Sequence, residues 1–243
     1  MAGIFRIELT SKEFDEAEVR SPSTSVLVEI FDWKEELKTK SGVVIGFNPD
    51  VQYAEGADNH IADVARVYGR IAKQPDKLWF HKKRNDSPPW EAELETEVGD
   101  YVWFSPLVAV NCTEIIVGER LYKVVPYEDL FVARKGGIDG EVVPLNGHVV
   151  METMPLEKKS QFDVISEMGI NYDKGRVVFV GKSNKSFQAK MHADHPDIKV
   201  GDIAVFDSIA VPYYLERNEF NMNFDEDKKY FLVQRHKIAL VLR

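Results

Sequence analysis

The sequence predicts an all-β protein in which two similar units follow one another along the chain. The apolar segments are short, and glycine, aspartate and proline residues interrupt them at close intervals. No long stretch shows the periodicity of an amphipathic helix, so strands and turns explain the pattern better than helices do. In addition, landmarks of the first half return in the same order in the second half, which indicates a repeat architecture. Each unit is therefore expected to be a β-barrel or a β-sandwich.

Four landmarks define the repeat. Each copy has an apolar strand, then a Gly-Arg pair that opens a second strand, then a Val-Gly-Asp turn with a third strand, and finally a strand pair. In the first unit these landmarks are residues 26–29, 69–72, 98–104 and 121–134. In the second unit they are residues 149–152, 175–180, 200–206 and 230–243. Because all four recur in one order, they indicate two copies of one fold.

Glycines mark the boundary between the two units. Three of them lie within residues 136–140 and interrupt the strand pattern after the first copy, as expected for a linker. The predicted first domain spans residues 25–137, and the predicted second domain spans residues 141–243. Residues 1–24 precede the first landmark and form an N-terminal extension.

Charge and composition exclude several classes of partner. The net charge of −9 opposes binding to phosphate backbones, and the short basic cluster at residues 81–84 is interpreted as a solvated loop, so no nucleic acid partner is expected. No apolar run approaches the roughly 18 residues of a membrane span, and no signal peptide is recognisable. The single cysteine, Cys112, cannot form an internal disulfide, which fits a reducing compartment. We therefore expect a cytoplasmic protein that binds no membrane.

The sequence also lacks the motifs of a catalyst. It contains no recognisable nucleophile–base pairing, no glycine-rich phosphate loop and no zinc-hydrolase motif. His192, Asp194, His195 and Asp197 are residue types that bind metals, but they lack the apolar frame that holds a metal site in place. We therefore expect no enzymatic activity and neither a metal nor an organic cofactor.

Each unit contains one long segment with little strand signal, residues 39–67 in the first unit and residues 160–174 in the second. Loops of this length in compact domains are usually functional or disordered. The first begins with the sequence TKSGVVIG, in which two glycines flank Val43, Val44 and Ile45. Two interpretations remain open for these three residues: an ordinary buried strand, or the apolar contact of a loop that becomes ordered when it binds a partner.

The order of these features resembles the GroES-type co-chaperonin family, whose members cap the rings of GroEL-type chaperonins. That family combines a loop beginning with a Thr-Lys-Ser-type stretch, a Gly-Arg strand, a V-G-D-x-V-x-F turn and strand, and a final strand similar to I-x-A-x-V. The first unit offers TKSGVVIG, GR, VGDYVWF and DLFVA, and the second unit offers KS, GRV, VGDIAVF and IALV. The resemblance covers residues 25–135 and 145–243, and it implies two tandem GroES-like β-barrel domains joined by a Gly-rich linker.

The resemblance implies a function and a set of contact residues. It implies a co-chaperonin that forms a homo-oligomeric ring, binds a GroEL-type chaperonin through mobile loops and assists the ATP-dependent folding of unfolded client proteins. The implied chaperonin-binding residues are Val43, Val44 and Ile45 in the first loop, and Val164 and Ile165 in the second. The second loop lacks flanking glycines and places acidic residues beside its apolar pair, so we expect it to contribute less.

A second interpretation stays open: a ring-forming structural or assembly protein that has kept the GroES-like barrel and lost chaperonin binding. The insertion at residues 78–97 lies where the family has a projecting hairpin, and it is longer here. Its aromatic residues Trp79, Phe80 and Trp90 are costly to leave in water, so we expect them to pack within the oligomer.

Overall fold

The computed structural model describes residues 5–21, 23–30, 37–38, 44–46, 68–80, 90–105, 108, 111–137, 139–155, 170–182, 197–206 and 230–243. Strands predominate in these residues, together with one short α-helix. The predicted all-β class is therefore confirmed for the described part of the chain.

The described residues form one α-helix and a series of strands. The N-terminal extension and the first unit contain β1 (Arg6–Leu9), α1 (Ser11–Glu16), β2 (Ser25–Ile30), β3 (Leu37–Lys38), β4 (Val44–Gly46), β5 (Tyr68–Lys73), β6 (Leu78–Phe80), β7 (Trp90–Ala92), β8 (Tyr101–Phe104), β9 (Glu114–Val117), β10 (Arg120–Pro126) and β11 (Leu130–Lys135). The second unit contains β12 (Glu141–Pro144), β13 (His148–Pro155), β14 (Ile170–Val180), β15 (Ile203–Phe206), β16 (Tyr230–Gln234) and β17 (Ile238–Leu242).

The strands form two large sheets and two small hairpins. The first sheet has the order β1-β9-β10-β2-β5-β8-β11-β12, and the second has the order β16-β13-β14-β15-β17. The strands β10-β2-β5-β8-β11 of the first sheet correspond in order to the five strands of the second. Neither sheet closes on itself among the described residues, so the two barrels remain a prediction.

The repeat extends to the register of the strand pairs. β2 pairs with β5, and this ladder is irregular between Leu27 and Val28. β13 pairs with β14, and its ladder shifts at the corresponding position, between Val150 and Met151. The pairs β8–β11 and β15–β17 also share an irregularity near the start of the last strand. Because bulges are local exceptions to regular pairing, their agreement shows that the two strand sets share both order and register.

Each strand set has two apolar faces. Val28 of β2 lies in a core cluster that both units share, and Met151 of β13 lies in a separate cluster of the second unit. Leu27 lies in a different cluster from its neighbour Val28, and Val150 lies in a different cluster from its neighbour Met151. The reason is that successive side chains point to opposite faces of a sheet. The outer faces around Leu27 and Val150 are covered by different parts of the chain, as described below.

The repeated Val-Gly-Asp turns have a common physical basis. Gly99 and Gly201 have backbone φ angles of +99° and +95°, which residues with a side chain rarely adopt. Asp100 and Asp202 are buried. Each carboxylate accepts a hydrogen bond from the backbone N–H three residues earlier, at 2.8 and 2.9 Å respectively. Glycine therefore permits the turn and aspartate closes it.

In each unit, a basic residue at the end of the last strand contacts the aspartate of that unit's Val-Gly-Asp turn. Lys135 Nζ lies 2.8 Å from Asp100 Oδ2, and Arg243 Nε lies 3.5 Å from Asp202 Oδ1. The backbone N–H of Gly136 also donates to Asp100 Oδ1 at 2.9 Å. The aspartate of each turn thus ties the turn to the final strand of its unit.

Replacing Gly99 or Gly201 with alanine should destabilise the protein by about 1 to 3 kcal/mol. An added Cβ would meet nothing within 4 Å at either position, so the cost comes from the backbone conformation and not from a clash. Urea unfolding followed by circular dichroism measures the change. Val98→Ala is the matched control, because Val98 is exposed and precedes the same turn. Equal stability of Gly99→Ala and this control would show that the turn tolerates alanine.

Candidate functional site

A strand ladder joins the two repeats. β12 pairs antiparallel with β11, with Ala133 opposite Val143 and Lys135 opposite Glu141. β12 begins the predicted second domain and β11 ends the first, so the chain turns back on itself between them. Backbone groups along one edge of β11 thereby find partners within the chain. We call this junction, formed by β11, β12 and residues 145–148, the seam.

Asn146 fixes the chain where it leaves the ladder. Its backbone φ is +51°, in the left-handed region that asparagine tolerates better than most residues. Its buried side-chain Nδ2 donates to the carbonyl oxygens of Tyr127 at 2.7 Å and Leu130 at 2.9 Å. Its backbone N–H donates to Glu95 Oε2 at 2.8 Å. One residue of the second unit thus binds three groups of the first.

Glu95 lies in a largely desolvated position beside this turn. Burial raises the pKa of its carboxyl group above the ordinary value, and the hydrogen bond from Asn146 opposes that increase. The Glu95 backbone N–H donates to the hydroxyl oxygen of Tyr127 at 2.5 Å. An exposed ion pair between Glu93 and Lys182, at 3.2 Å, adds another contact between the two repeats. Polar contacts therefore surround the buried part of the seam.

His148 follows the same turn and is buried. Its Nδ1 lies 2.7 Å from the carbonyl oxygen of Leu145, and because that oxygen only accepts hydrogen bonds, Nδ1 carries the proton. The imidazole ring packs edge-on against Phe131 of β11, with ring centroids 5.2 Å apart. Burial lowers the pKa of His148 to about 4, and the charge on nearby His236 contributes in the same direction. The seam therefore holds a neutral histidine at pH 7.

The apolar core is continuous across the seam. Leu145 is fully buried and shares one cluster with Tyr127 and Phe131 of the first unit and with Val150 and Leu232 of the second. Three partly buried residues of the second unit also pack against this cluster: Val178, Phe179 and Tyr230. The outer face of the second unit's sheet is thus covered by this shared cluster.

The last strand of the second unit lacks such a cover among the described residues. Val132 of β11 is fully buried, whereas Leu240, at the same register position in β17, is 59% exposed. Arg134 is 7% exposed, and its counterpart Leu242 is 50% exposed. Among the strands that the structure describes, β17 stands at the end of its sheet and pairs with β15 along one edge only. An unpaired apolar strand edge can accept another strand.

The insertion at residues 78–97 contains a hairpin. β6 and β7 pair with Leu78 opposite Ala92, and Leu78 is fully buried in the shared core cluster. Trp79 is partly buried, and its Nε1 has no hydrogen-bond partner among the described residues. The side chains of Phe80 and Trp90 lie outside the described part of the structure, so the packing expected for these aromatics stays a prediction.

The first candidate loop starts from a short hairpin. β3 and β4 pair antiparallel, with Lys38 opposite Val44. Val44 and Ile45 therefore lie in β4. Val43 lies outside the described residues. Both interpretations of the apolar triplet remain compatible with this hairpin, because a strand at the start of a loop can also contact a partner.

The second candidate loop is shorter than the sequence suggests. Residues 170–174, predicted to belong to it, are part of β14. They are strand because β13 extends far enough for Pro155 to pair with Ile170. Val164 and Ile165, its predicted contact residues, lie outside the described residues.

Other candidate sites from the sequence have little structural counterpart. The basic cluster at residues 81–84, together with His192, Asp194 and His195, lies outside the described residues. Among the residues that are described, no group of three or more His, Cys, Asp or Glu side chains is placed to hold a metal ion. None of the described helices is long and apolar enough to cross a membrane.

Comparison with known proteins gives no relative: no protein-family model matches the chain, and no curated protein matches it. The resemblance to the GroES-type family therefore rests on the sequence motifs. The seam is described by the structure independently of that resemblance.

Sequence reasoning did not single out Asn146 or His148. The available signal was the Asn-Gly dipeptide at residues 146–147, which typically marks a turn with positive φ. It also did not predict α1, although Thr10 and Glu13 form a capping box that marks a helix start.

His148 makes the seam sensitive to acid. Its pKa is about 4 in the folded chain, against roughly 6.5 for an exposed histidine. The folded state therefore favours the neutral ring, and this stabilisation is complete above about pH 6.5 and is lost as the pH falls towards 4. Asp129, whose pKa burial raises to about 6, changes stability in the opposite direction over a similar range.

A His148→Phe variant separates the pH dependence caused by His148 from that caused by Asp129. The unfolding free energy of the wild type relative to the variant should rise by up to about 3 kcal/mol between pH 4 and pH 6.5, because Asp129 titrates in both proteins and cancels. Urea unfolding at a series of pH values measures this difference. A difference that stays constant with pH would mean that the fold does not keep His148 neutral.

Proposed function

We propose that this chain is a tandem co-chaperonin of the GroES type, which assembles head to tail into a ring and caps a chaperonin. The observation that carries the proposal is the seam, because the chain already contains one contact of the kind that such a ring repeats between copies. The sequence motifs supply the resemblance to the family. The shared strand order of the two sheets supports it.

The repeat identifies the segments that meet between copies. β12 lies just before β13, and residues 18–21 lie at the same position before β2. These residues read Glu-Val-Arg-Ser, where β12 reads Glu-Val-Val-Pro. Residues 18, 20 and 21 are exposed and lie outside the described strands. β17 of one copy would therefore pair with residues 18–21 of the next copy, as β11 pairs with β12.

A contact between two different surfaces closes into a ring when the rotation between neighbouring copies permits it. In a linear head-to-tail assembly, one free surface of each kind remains at the ends, and closure removes both. A ring also displays many copies of the first loop. A single loop binds weakly because its ordering costs free energy, whereas several loops on one ring act at a high effective concentration. Val43, Val44 and Ile45 supply the apolar contact of each loop.

Leu240→Asp should weaken assembly without unfolding the chain. Leu240 is exposed in the single chain, so a charge costs little there, but the ring would bury it as Val132 is buried at the seam. Light scattering over a concentration series gives the concentration at which half the chains are assembled. Val200→Asp is the matched control, since Val200 is also exposed and lies in the turn before β15, not in the strand that would pair with the next copy. The same half-assembly concentration for wild type and Leu240→Asp would contradict the proposed contact.

Replacing Val43, Val44 and Ile45 together with serine should abolish chaperonin binding and leave assembly unchanged. Burying three such side chains contributes roughly 1.5 to 3 kcal/mol each, and serine removes most of that contribution. Capture on an immobilised GroEL-type chaperonin, with and without nucleotide, measures the loss. The double variant Val164→Ser, Ile165→Ser is the comparison and should have a smaller effect.

Two outcomes of that experiment revise the proposal. Undiminished binding by the triple serine variant would place the contact outside the first loop. A wild-type chain that forms rings and is not captured by the chaperonin would instead support the structural or assembly protein that keeps the barrel alone.

A further inference from the structure

The N-terminal segment, residues 5–17, covers the outer face of the first unit's sheet. Leu27 and Tyr122 form the buried part of this face, and Leu9 and Phe14 of the segment pack against it. The rings of Phe14 and Tyr122 lie 4.4 Å apart between centroids. Val124 packs in the same cluster. We call the surface formed by Leu27, Ala72, Tyr122 and Val124 the head face.

The head face corresponds to the face of the second unit that is covered at the seam. Leu27 pairs with Val124 between β2 and β10, and Val150 pairs with Leu232 between β13 and β16 in the same register. The irregularity in each neighbouring ladder fixes the remaining positions. The corresponding residues are Leu27 and Val150, Ala72 and Val178, Lys73 and Phe179, Tyr122 and Tyr230, and Val124 and Leu232.

The two equivalent faces have different covers. In the second unit, Val150 and Leu232 share a cluster with Phe131 of the first unit. In the first unit, the chain's own N-terminal segment lies on the corresponding residues. A second copy that docked on the first unit as the first unit docks on the second would need the same surface. The segment and the second copy therefore compete for it.

We propose that residues 5–17 are an intramolecular cap on the docking surface for a second copy of this chain, and that the cap must leave the head face before the tail of that copy can bind. The inference rests on the proposed head-to-tail assembly. It goes beyond that assembly in two ways. It names a docking surface for the second copy in addition to residues 18–21, and it names the segment that controls access to this surface.

The helix α1 is the weakly held part of the cap. α1 has six residues and no buried side chain, and a helix of this length is not stable by itself. In β1 and just before it, Ile7 and Phe5 are 36% and 67% exposed. The segment is attached by the ladder of β1 with β9 and by the ion pair of Arg6 Nη2 with the buried Glu114 Oε2 at 2.7 Å. The Lys73 ammonium also contacts backbone carbonyls at the end of α1.

The seam is packed more completely than the cap. Leu145 and Val150 are fully buried there, whereas Leu9 and Phe14, the apolar contacts of the cap, are only partly buried. A docked second copy would bury the exposed Leu240 and Leu242 of β17 as well. The cap therefore lowers the apparent affinity between copies by the fraction of chains in which it is open, without preventing assembly at high concentration.

Phe14→Ala tests the cap because it weakens the segment and leaves every residue of the head face in place. The half-assembly concentration, measured by light scattering on the full chain, should fall about tenfold as the open fraction rises. Hydrogen exchange of the β1 amides should become faster in the same variant. Phe5→Ala is the matched control, since Phe5 belongs to the same segment and is mostly exposed, and it should change neither quantity. Adding Leu240→Asp to Phe14→Ala should raise the half-assembly concentration again.

The outcomes separate the cap from the assembly itself. Faster exchange in β1 with an unchanged or higher half-assembly concentration would overturn the cap. If Phe14→Ala leaves exchange in β1 unchanged, a chain lacking residues 1–17 replaces it, and an unchanged or higher half-assembly concentration of that chain would overturn the cap. Assembly that depends on Leu240 and is indifferent to removal of the segment would refute the cap alone. Assembly that is indifferent to Leu240 would refute the head-to-tail contact as well.

Discussion

The pairing of β12 with β11 is the contact on which the rest of this structure depends. The last strand of a sheet presents backbone N–H and C=O groups that need partners, and an apolar strand edge left open invites another chain. β11 has its partner within the chain, and the residues that follow β12 complete the cover with Leu145, Asn146 and His148. β17 pairs within its own sheet in the same way as β11 but has no further strand among the described residues. The exposed Leu240 is the consequence.

Landmarks with a local cause are predictable from the sequence. A Val-Gly-Asp turn requires a glycine because φ is positive, and it requires an aspartate because the carboxylate accepts the N–H that closes the turn. The apolar strands on either side follow from the same local pattern, so the repeat and the all-β class could be read in advance. The capping box of α1 was equally local and was available from Thr10 and Glu13.

Contacts between distant segments were not predictable in this way. No local pattern assigns Asn146 to the carbonyl groups of Tyr127 and Leu130, because these contacts exist only after the two units meet. The pairing of β12 with β11 did have a local signal, since five residues with three glycines separate the two strands, but this segment was interpreted as a linker. The length of the second loop was overestimated for a related reason. Residues 170–174 carry a weak strand signal, and pairing with β13 makes them strand despite it.

The corresponding outer faces of the two sheets are covered to different extents. At the seam, buried polar groups and a continuous apolar core join the units permanently. On the head face, a short segment with partly buried contacts occupies the corresponding residues. Under the proposed head-to-tail assembly, the seam would be the permanent contact inside each chain, and the N-terminal segment would be a reversible cover on the surface that binds the next copy.

Hydrogen exchange in β17 as a function of protein concentration tests the central claim most directly. β15 occupies one edge of β17, so the amides that face the other edge report whether a strand from another copy is present. The account predicts that the protection of these amides increases with concentration, while the protection of β11, which is paired with β12 in every chain, stays constant. Exchange in β17 that is rapid and independent of concentration would contradict the claim that the seam is repeated between copies.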